Sequence, residues 1–559
     1  MPAGVKRIPT KAFDSFRAAP SPGFAAAIGE NGRSFNQQAA AYNTANSLLL
    51  RKLKGRHLQM IAIGGSIGTG LFIGSGTSLA TGGPASLLLA FLMIGALAGS
   101  FSAYATRFID PAWGFAMGWN YAIQWAFAMP LEVMAAEVTL EYWEKDFPQW
   151  AAITIILLLI VAINVSGIKM YGEAEYTFSI LKITAVIGFI VSILGAVINC
   201  GGTQDSGYIG GKYWREPGAF HNGFKGFCNI LVTAGFSFSG TELVGLAAAE
   251  TYNPSKALPT AMKQVFWRIA LFYIVSVLIV GLLVPYTDSR LLARNSVDAT
   301  ASPFIIAIET AGIEGLDSVM NAVVLIAVLS VANSSMFGST RTLQALAEQG
   351  QAPRILAYVD RKGRPLVAIG TCSVVGLLSY LRMSPIAGQA FTWLIALAGL
   401  ASIFTWCSIC YAHIQFRRAW KMQGNLPSDL IYQSPIGVAG SYFGMALLMS
   451  ILAAQFWVAI LPVHSSSVRR STAERASDFF EAYLALPVVM AFYAFYKIWF
   501  RTSWVRAEDI DLQTGRNEYV YSDLNFSRRR RKKDLKCPLC GQELQRTDTD
   551  LPSDSKAPI

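Results

Sequence analysis

The sequence predicts an all-α polytopic membrane fold, on three observations. Hydrophobic residues make up 53% of the 559 residues and charged residues only 14%, where a soluble globular domain carries roughly 25% charged. Mean hydropathy is +0.40. Apolar runs of membrane length, about 20 residues each, recur between residues 51 and 500. They place about twelve spans, near 57–80, 84–106, 114–143, 151–168, 176–199, 226–250, 266–287, 317–340, 365–381, 387–414, 436–462 and 479–500. Residues 1–50 form a polar N-terminal tail without a signal-peptide pattern, and residues 501–559 a hydrophilic C-terminal tail.

The net charge of +11 does not indicate a nucleic-acid partner. The cations lie in the loops between spans, and the loops that share a side with Arg51, Lys52 and Lys54 hold more Lys and Arg than the opposite ones. The positive-inside rule then places both termini in the cytoplasm. The run at 528–533 reads as a solvated tail, with contact to anionic lipid as its alternative.

Two spans are interrupted where a membrane helix should run smoothly. Residues 61–76 read IAIGGSIGTGLFIGSG and residues 234–243 read AGFSFSGTEL. Glycine weakens helix and lets backbone approach a ligand. In lipid, such irregular backbone is tolerated only where it lines a cavity or is buried in protein. Paired interruptions in corresponding segments are the sequence pointer to a transporter's binding site. At the first break, the free N–H groups of Gly68, Thr69 and Gly70 suit a substrate carboxylate. At the second, the carbonyls of Phe236, Ser237 and Ser239 suit an ammonium. The competing reading is small residues allowing close helix packing. One cluster would fit packing; two, five spans apart, favour a site.

Ionisable groups inside spans are costly in hydrocarbon and therefore functional candidates. Glu132 lies deep in the third span, Glu242 ends the second break, and Lys182 sits about two turns into the fifth span. A buried Lys can give up its proton, so Lys182, with Glu242, is a proton-coupling candidate. The alternative for Lys182 is a side chain snorkelling to the interface. Glu137 and Glu141 read as interfacial at the outer end.

No catalytic constellation stands out, so an enzyme is not expected, and neither a cofactor nor a metal is implied. His57, His221, His413 and His464 are scattered, and His57 and His413 read as interface residues beside basic loops. Cys537 and Cys540 form a lone C-x-x-C, short of the four ligands of structural zinc, and read as free thiols. A Cys200–Cys228 disulfide is left open. Cys228, Cys372, Cys407 and Cys410 fall within spans, where free Cys acts as a small hydrophobe.

Several long motifs, in order, make the chain resemble fungal amino-acid permeases of the general amino-acid permease type, the yeast amino-acid transporter group of the APC superfamily. They are LKGRHLQMIAIGGSIGTGLFIGSG (53–76), GSFSAYATRFIDPAWGFAMGWNYA (99–122), PLEVMAAEVTLEYW (130–143), FSFSGTELVGLAAAETYNPSKALP (236–259), STRTLQALAEQGQAP (339–353) and ICYAHIQFRRA (409–419). The resemblance covers roughly residues 50–510. It implies proton-coupled amino-acid uptake at the plasma membrane through a LeuT-like five-plus-five inverted repeat with two further helices. It places the substrate carboxylate on Gly68, Thr69 and Gly70, the ammonium near Phe236, Ser237 and Ser239, Glu132 in substrate binding and Lys182 in proton coupling. The tenth helix lines the side-chain pocket in relatives. Here it reads TWLIALAGLAS (392–402), without an acid, which points to neutral or broad-range substrates. A nutrient sensor on the same fold is the alternative function.

One departure is large. Relatives carry a full second helix and a short acidic motif before GSFSAYA. This chain passes from LLLAFLMIGA (87–96) almost directly into Gly99, some 20–25 residues fewer than a span with its loop requires. The second helix therefore reads as truncated, which adds an inactive splice or gene-model variant to the alternatives.

Overall fold

The computed structural model describes residues 15–19, 23, 25–29, 33–95, 105–199, 210–291, 302–310, 315–430, 436–461, 476, 479–480 and 482–514. The expectations on the 528–533 run, Cys200, Cys537, Cys540 and residues 96–104 lie outside them. Cys228 is a buried free thiol.

The described residues are helical, with three isolated β-bridges and no strand among them. In chain order the helices are α1 (Gln37–Ala45), α2 (Gly55–Gly64), α3 (Thr69–Phe72), α4 (Gly74–Gly95), α5 (Ala105–Phe108), α6 (Pro111–Leu140), α7 (Gln149–Val165), α8 (Ile168–Asn199) and α9 (Gly223–Phe238). They continue with α10 (Leu243–Ala248), α11 (Pro254–Leu283), α12 (Pro303–Thr310), α13 (Leu316–Glu348), α14 (Leu366–Gly376), α15 (Ala387–Met422), α16 (Gly437–Ile460) and α17 (Ala485–Phe500). Seven helical stretches among the described residues are long and apolar enough to cross a membrane, including Gly223–Ala248, Leu316–Glu348 and Ala387–Met422. Large apolar side chains stand exposed on the outer faces, such as Leu158 on α7, Phe443 on α16 and Ile498, 76% exposed, on α17. In water such a surface would aggregate; against lipid it is the natural contact.

The first predicted span is three pieces. α2 stops at Gly64, residues 65–68 are unwound, and α3 leads through Ile73 into α4. α4 itself bends at Gly83 (φ 80°) just before Pro84. The sixth predicted span is α9 and α10, interrupted at residues 239–242. Between the two breaks run the long scaffold helices. α6 begins where Asp110 Oδ1 accepts from Ala112 N at 2.9 Å, with Pro111 at the first helical position, a combination that starts helices efficiently. α13 packs along α6 more extensively than any other helix pair. Their contact is small and polar: Ser339 Oγ donates to Ala122 O at 2.9 Å, and a Cβ on Gly338 would sit 3.0 Å from the Trp125 ring. Without a hydrophobic drive between helices in lipid, small residues and such bonds supply the association.

The described residues just before the first span and just after the last dock on one end of this bundle. Gln37 Nε2 donates to the Thr106 and Arg107 carbonyls at 3.2 and 2.9 Å. Arg107 Nε donates to Asp511 O at 2.6 Å. Val505 N donates to Ile109 O at 2.8 Å. Lys497 Nζ pairs with Asp110 Oδ2, and Thr502 Oγ1 donates to Asp110 Oδ1 at 2.7 Å. Asp110 thus caps α6 and anchors the chain beyond α17 together. Replacing Asp110 with Ala is expected to lower the thermal midpoint of the purified protein more than replacing it with Asn. Asn keeps the cap, worth about 1 kcal/mol, and loses only the charge pairing; thermal unfolding of both variants in detergent checks this.

Candidate functional site

The two breaks cross each other at van der Waals range. A Cβ on Gly70 would lie 2.5 Å from Ser237 Cα, and one on Gly240 would lie 2.3 Å from Gly65 O. Gly240 also has φ +103°, a conformation L side chains rarely adopt. These glycines are required by the close approach of one backbone to the other.

Backbone groups freed by the breaks are taken up by side chains. Lys182 Nζ, on α8, donates to Gly64 O at 2.6 Å, Ser330 Oγ at 2.9 Å and Ile67 O at 3.2 Å. The hydroxyl of Tyr273, on α11, lies 2.6 Å from Ser66 O and 2.8 Å from Ser237 O. Glu242 Oε2 accepts from Gly240 N at 3.1 Å. Lys182 is fully buried, so its head lies beneath the first break and does not reach an interface.

The breaks enclose a cavity lined by Gly65, Ser66, Gly68, Thr69, Gly70, Phe236 and Ser239. Scaffold helices close it with Gln124, Trp125, Ala128, Glu132, Val331 and Ala398. Its volume is about 10 Å³, the room of roughly one water; the site is closed in this conformation. Thr69 Oγ1 donates to Glu132 Oε2, while Glu132 Oε1 has no hydrogen-bond partner. Ser239 Oγ accepts from Gln124 Nε2 at 2.8 Å and Ser402 Oγ at 3.2 Å.

The structure therefore gathers Gly68, Thr69, Gly70, Glu132, Phe236 and Ser239 around one space. Ser237 lies just behind the wall: its hydroxyl donates to Thr233 O at 2.9 Å and its carbonyl meets Tyr273. Glu242 is buried next to the break without lining the cavity. Ala398, from the TWLIALAGLAS stretch, reaches the wall.

Several residues were not singled out by the sequence. Gln124 carries no motif, and an amide within an apolar helix looks unremarkable. Glu175 lies one residue outside the predicted fifth span, yet it is buried on α8; its carboxylate accepts from Asn333 Nδ2 at 2.6 Å and Ser330 Oγ at 2.7 Å. Two interface readings change. Glu137 is buried and paired with Arg382 at 3.0 Å, because α6 packs there against the segment following α14. His57 is also buried, 3.2 Å from Glu173. Among the described residues no group of three or more His, Cys, Asp or Glu could hold a metal ion.

Comparison with known proteins adds the following. The amino acid permease family model matches residues 57–507. A general amino-acid permease of Candida albicans is 51% identical over 528 residues, covering 91% of this chain and 88% of the relative. A general amino-acid permease of Saccharomyces cerevisiae is 50% identical over 508 residues, covering 86% of this chain and 83% of the relative. In both, the aligned length exceeds the stated share of this chain, so the relatives carry residues without a counterpart here. A nucleobase–cation symporter in a closed conformation aligns with a TM-score of 0.41 at 15% identity, over 82% of this chain and 96% of that one.

The crossing makes a direct prediction. Gly70→Ala should abolish ligand-induced stabilisation, since its Cβ collides with backbone and overpacking of this kind costs about 1–3 kcal/mol. Gly188→Ala, with nothing within 4 Å, should be silent. Thermal-shift measurements with and without an amino-acid mixture check both.

Proposed function

The chain belongs to the amino acid permease family, and on that premise we propose that it imports amino acids, neutral or broad in range, across the plasma membrane by proton symport and alternating access. It is an integral membrane protein whose relatives are permeases. The observation that carries the proposal is the crossing of two broken helices over a closed cavity that holds a half-satisfied carboxylate. At this crossing the amides of Gly68, Thr69 and Gly70 are the partners for the substrate carboxylate. The ammonium is assigned to the second break, at the carbonyls of Phe236, Ser237 and Ser239, with Glu132 Oε1 as the nearby charge. In the closed state Tyr273 engages the Ser237 carbonyl and Ser239 N donates to the Phe236 carbonyl at 3.1 Å, so both exchange partners when substrate binds. The apolar contribution of Ala398, with no acid in 392–402, supports neutral substrates over cationic ones.

The Lys182 contacts suggest how a proton couples to the break. An ammonium has three donors and a neutral amine two. The three acceptors around Nζ are all served only while Lys182 is charged. Deprotonation would release a carbonyl at the end of α2 and favour a different arrangement of the break. Glu242, bonded to Gly240 N, is placed to do the same at the second break. The Lys and Arg bias of the loops supports a cytoplasmic location for both termini.

A second reading, a transport-deficient variant, is favoured by one observation. The sequence passes from residues 87–96 almost directly into Gly99, some 20–25 residues fewer than a span with its loop requires.

Uptake of labelled amino acids in a permease-deficient yeast decides between the two. Proton-dependent uptake supports the transporter; none from correctly localised protein supports the variant. In an active protein, Lys182→Ala should remove pH-dependent accumulation while exchange persists, and Thr69→Leu should block binding by filling the cavity. Unchanged pH dependence would remove Lys182 from the coupling step.

A further inference from the structure

A second cavity, of about 710 Å³, opens beside the starts of α2 and α11. Its lining carries Arg51, Lys52, Lys54, Lys169 and Lys256 and, among the described residues, no acid. All five cations are exposed, and none has an ion-pair partner among the described residues. The nearest acids are engaged elsewhere: Glu250 with Arg341 at 3.0 Å and Glu173 with Arg56 at 2.8 Å.

The walls come from three elements. The approach to α2 supplies Arg51, Lys52 and Lys54, the start of α8 supplies Lys169, and the start of α11 supplies Lys256. A β-bridge holds the first and third together: Leu53 N donates to Glu250 O and Tyr252 N to Leu53 O, both at 3.0 Å.

Two features of this arrangement are unfavourable for an empty pocket. Like charges converge from separate elements, which raises their mutual repulsion. Helices α2 and α11 both begin here, and neither has an acid in its first turn. Lys54 caps α2 and Lys256 sits in the first turn of α11, where the helix dipole disfavours cations and favours anions. The volume falls in the range of ligand pockets, and Tyr252, 82% exposed, stands at the rim as aromatic residues do at membrane interfaces.

We propose that this pocket binds a multiply phosphorylated anion, either a phosphoinositide headgroup from the adjoining leaflet or the same phosphates free in solution. The binding claim is independent of the transport reading. Its consequence rests on that reading: an anion held between the approach to α2 and the start of α11 ties the first broken helix to the segment that follows the second and keeps this end closed.

The test uses the purified full-length protein and phosphatidylcholine vesicles containing phosphatidylinositol 4,5-bisphosphate. Charge-matched phosphatidylserine vesicles are the control, and soluble inositol trisphosphate is the competitor. Wild type should bind the phosphoinositide vesicles in preference to phosphatidylserine. The Lys54→Gln/Lys256→Gln double variant should lose at least about tenfold in affinity. Arg354→Gln, an exposed cation outside the pocket, should bind normally. Competition by soluble inositol trisphosphate identifies the phosphates as sufficient; absence of competition identifies the lipid form as the ligand. Lys52→Gln/Lys169→Gln repeats the readout from different elements, and each variant's unliganded melting and elution confirm its folding. Equal binding to both vesicle types, or folded double variants with unchanged affinity, would overturn the proposal.

Discussion

The contact on which the rest of the site depends is the crossing of two backbone breaks at Gly65 with Gly240 and Gly70 with Ser237. Inside a bilayer an unpaired carbonyl or N–H costs several kcal/mol, so each break demands partners from elsewhere in the fold. Those partners come from different helices. α8 sends Lys182 to Gly64 and Ile67, α11 sends Tyr273 to Ser66 and Ser237, and Ser302, just before α12, donates from its Oγ to Phe72 O at 2.7 Å. The polar side chains that would be costly alone in lipid are satisfied by the irregular backbone, and the irregular backbone is satisfied by them. Neither could be removed without stranding the other.

This mutual dependence explains which parts of the site were legible. Gly, Ser and Thr within an apolar run violate the helical pattern, so the breaks could be read from composition and spacing. Lys182 and Glu132 were visible because a charge in a span is conspicuous. What they touch was not visible, because contacts between α2 and α8, or α3 and α6, depend on packing rather than on local pattern. The snorkelling alternative for Lys182 therefore stayed open until its three acceptors were located. Glu175 escaped for a simpler reason: a boundary drawn one residue late left it in a loop. Gln124 gave no signal at all, since a single amide costs too little in an apolar helix to stand out, yet it holds Ser239 at the cavity wall.

The closed cavity must expand for any amino acid to enter, and the bonds that resist expansion differ between the two ends. At one end, half-helices α2 and α10 are tied to each other by the Leu53–Thr251 bridge. α10 leads directly into Glu250, which pairs with Arg341 of α13 in a fully buried contact. α2 and α10 can therefore move as a joined pair only if the Glu250–Arg341 pair breaks. If α10 stays on the scaffold, the bridge must open to let α2 move. A buried ion pair left with one partner is strongly unfavourable, whereas opening the bridge, whose Leu53 and Thr251 are buried, breaks only two neutral backbone hydrogen bonds. The lower-cost route is separation of α2 from α10 at the bridge, with α10 held by Arg341. That route also alters the acceptors around Lys182, since Gly64 O and Ile67 O travel with the end of α2. Movement at the bridge and the Lys182 contacts beneath the break are then joined through one ten-residue helix.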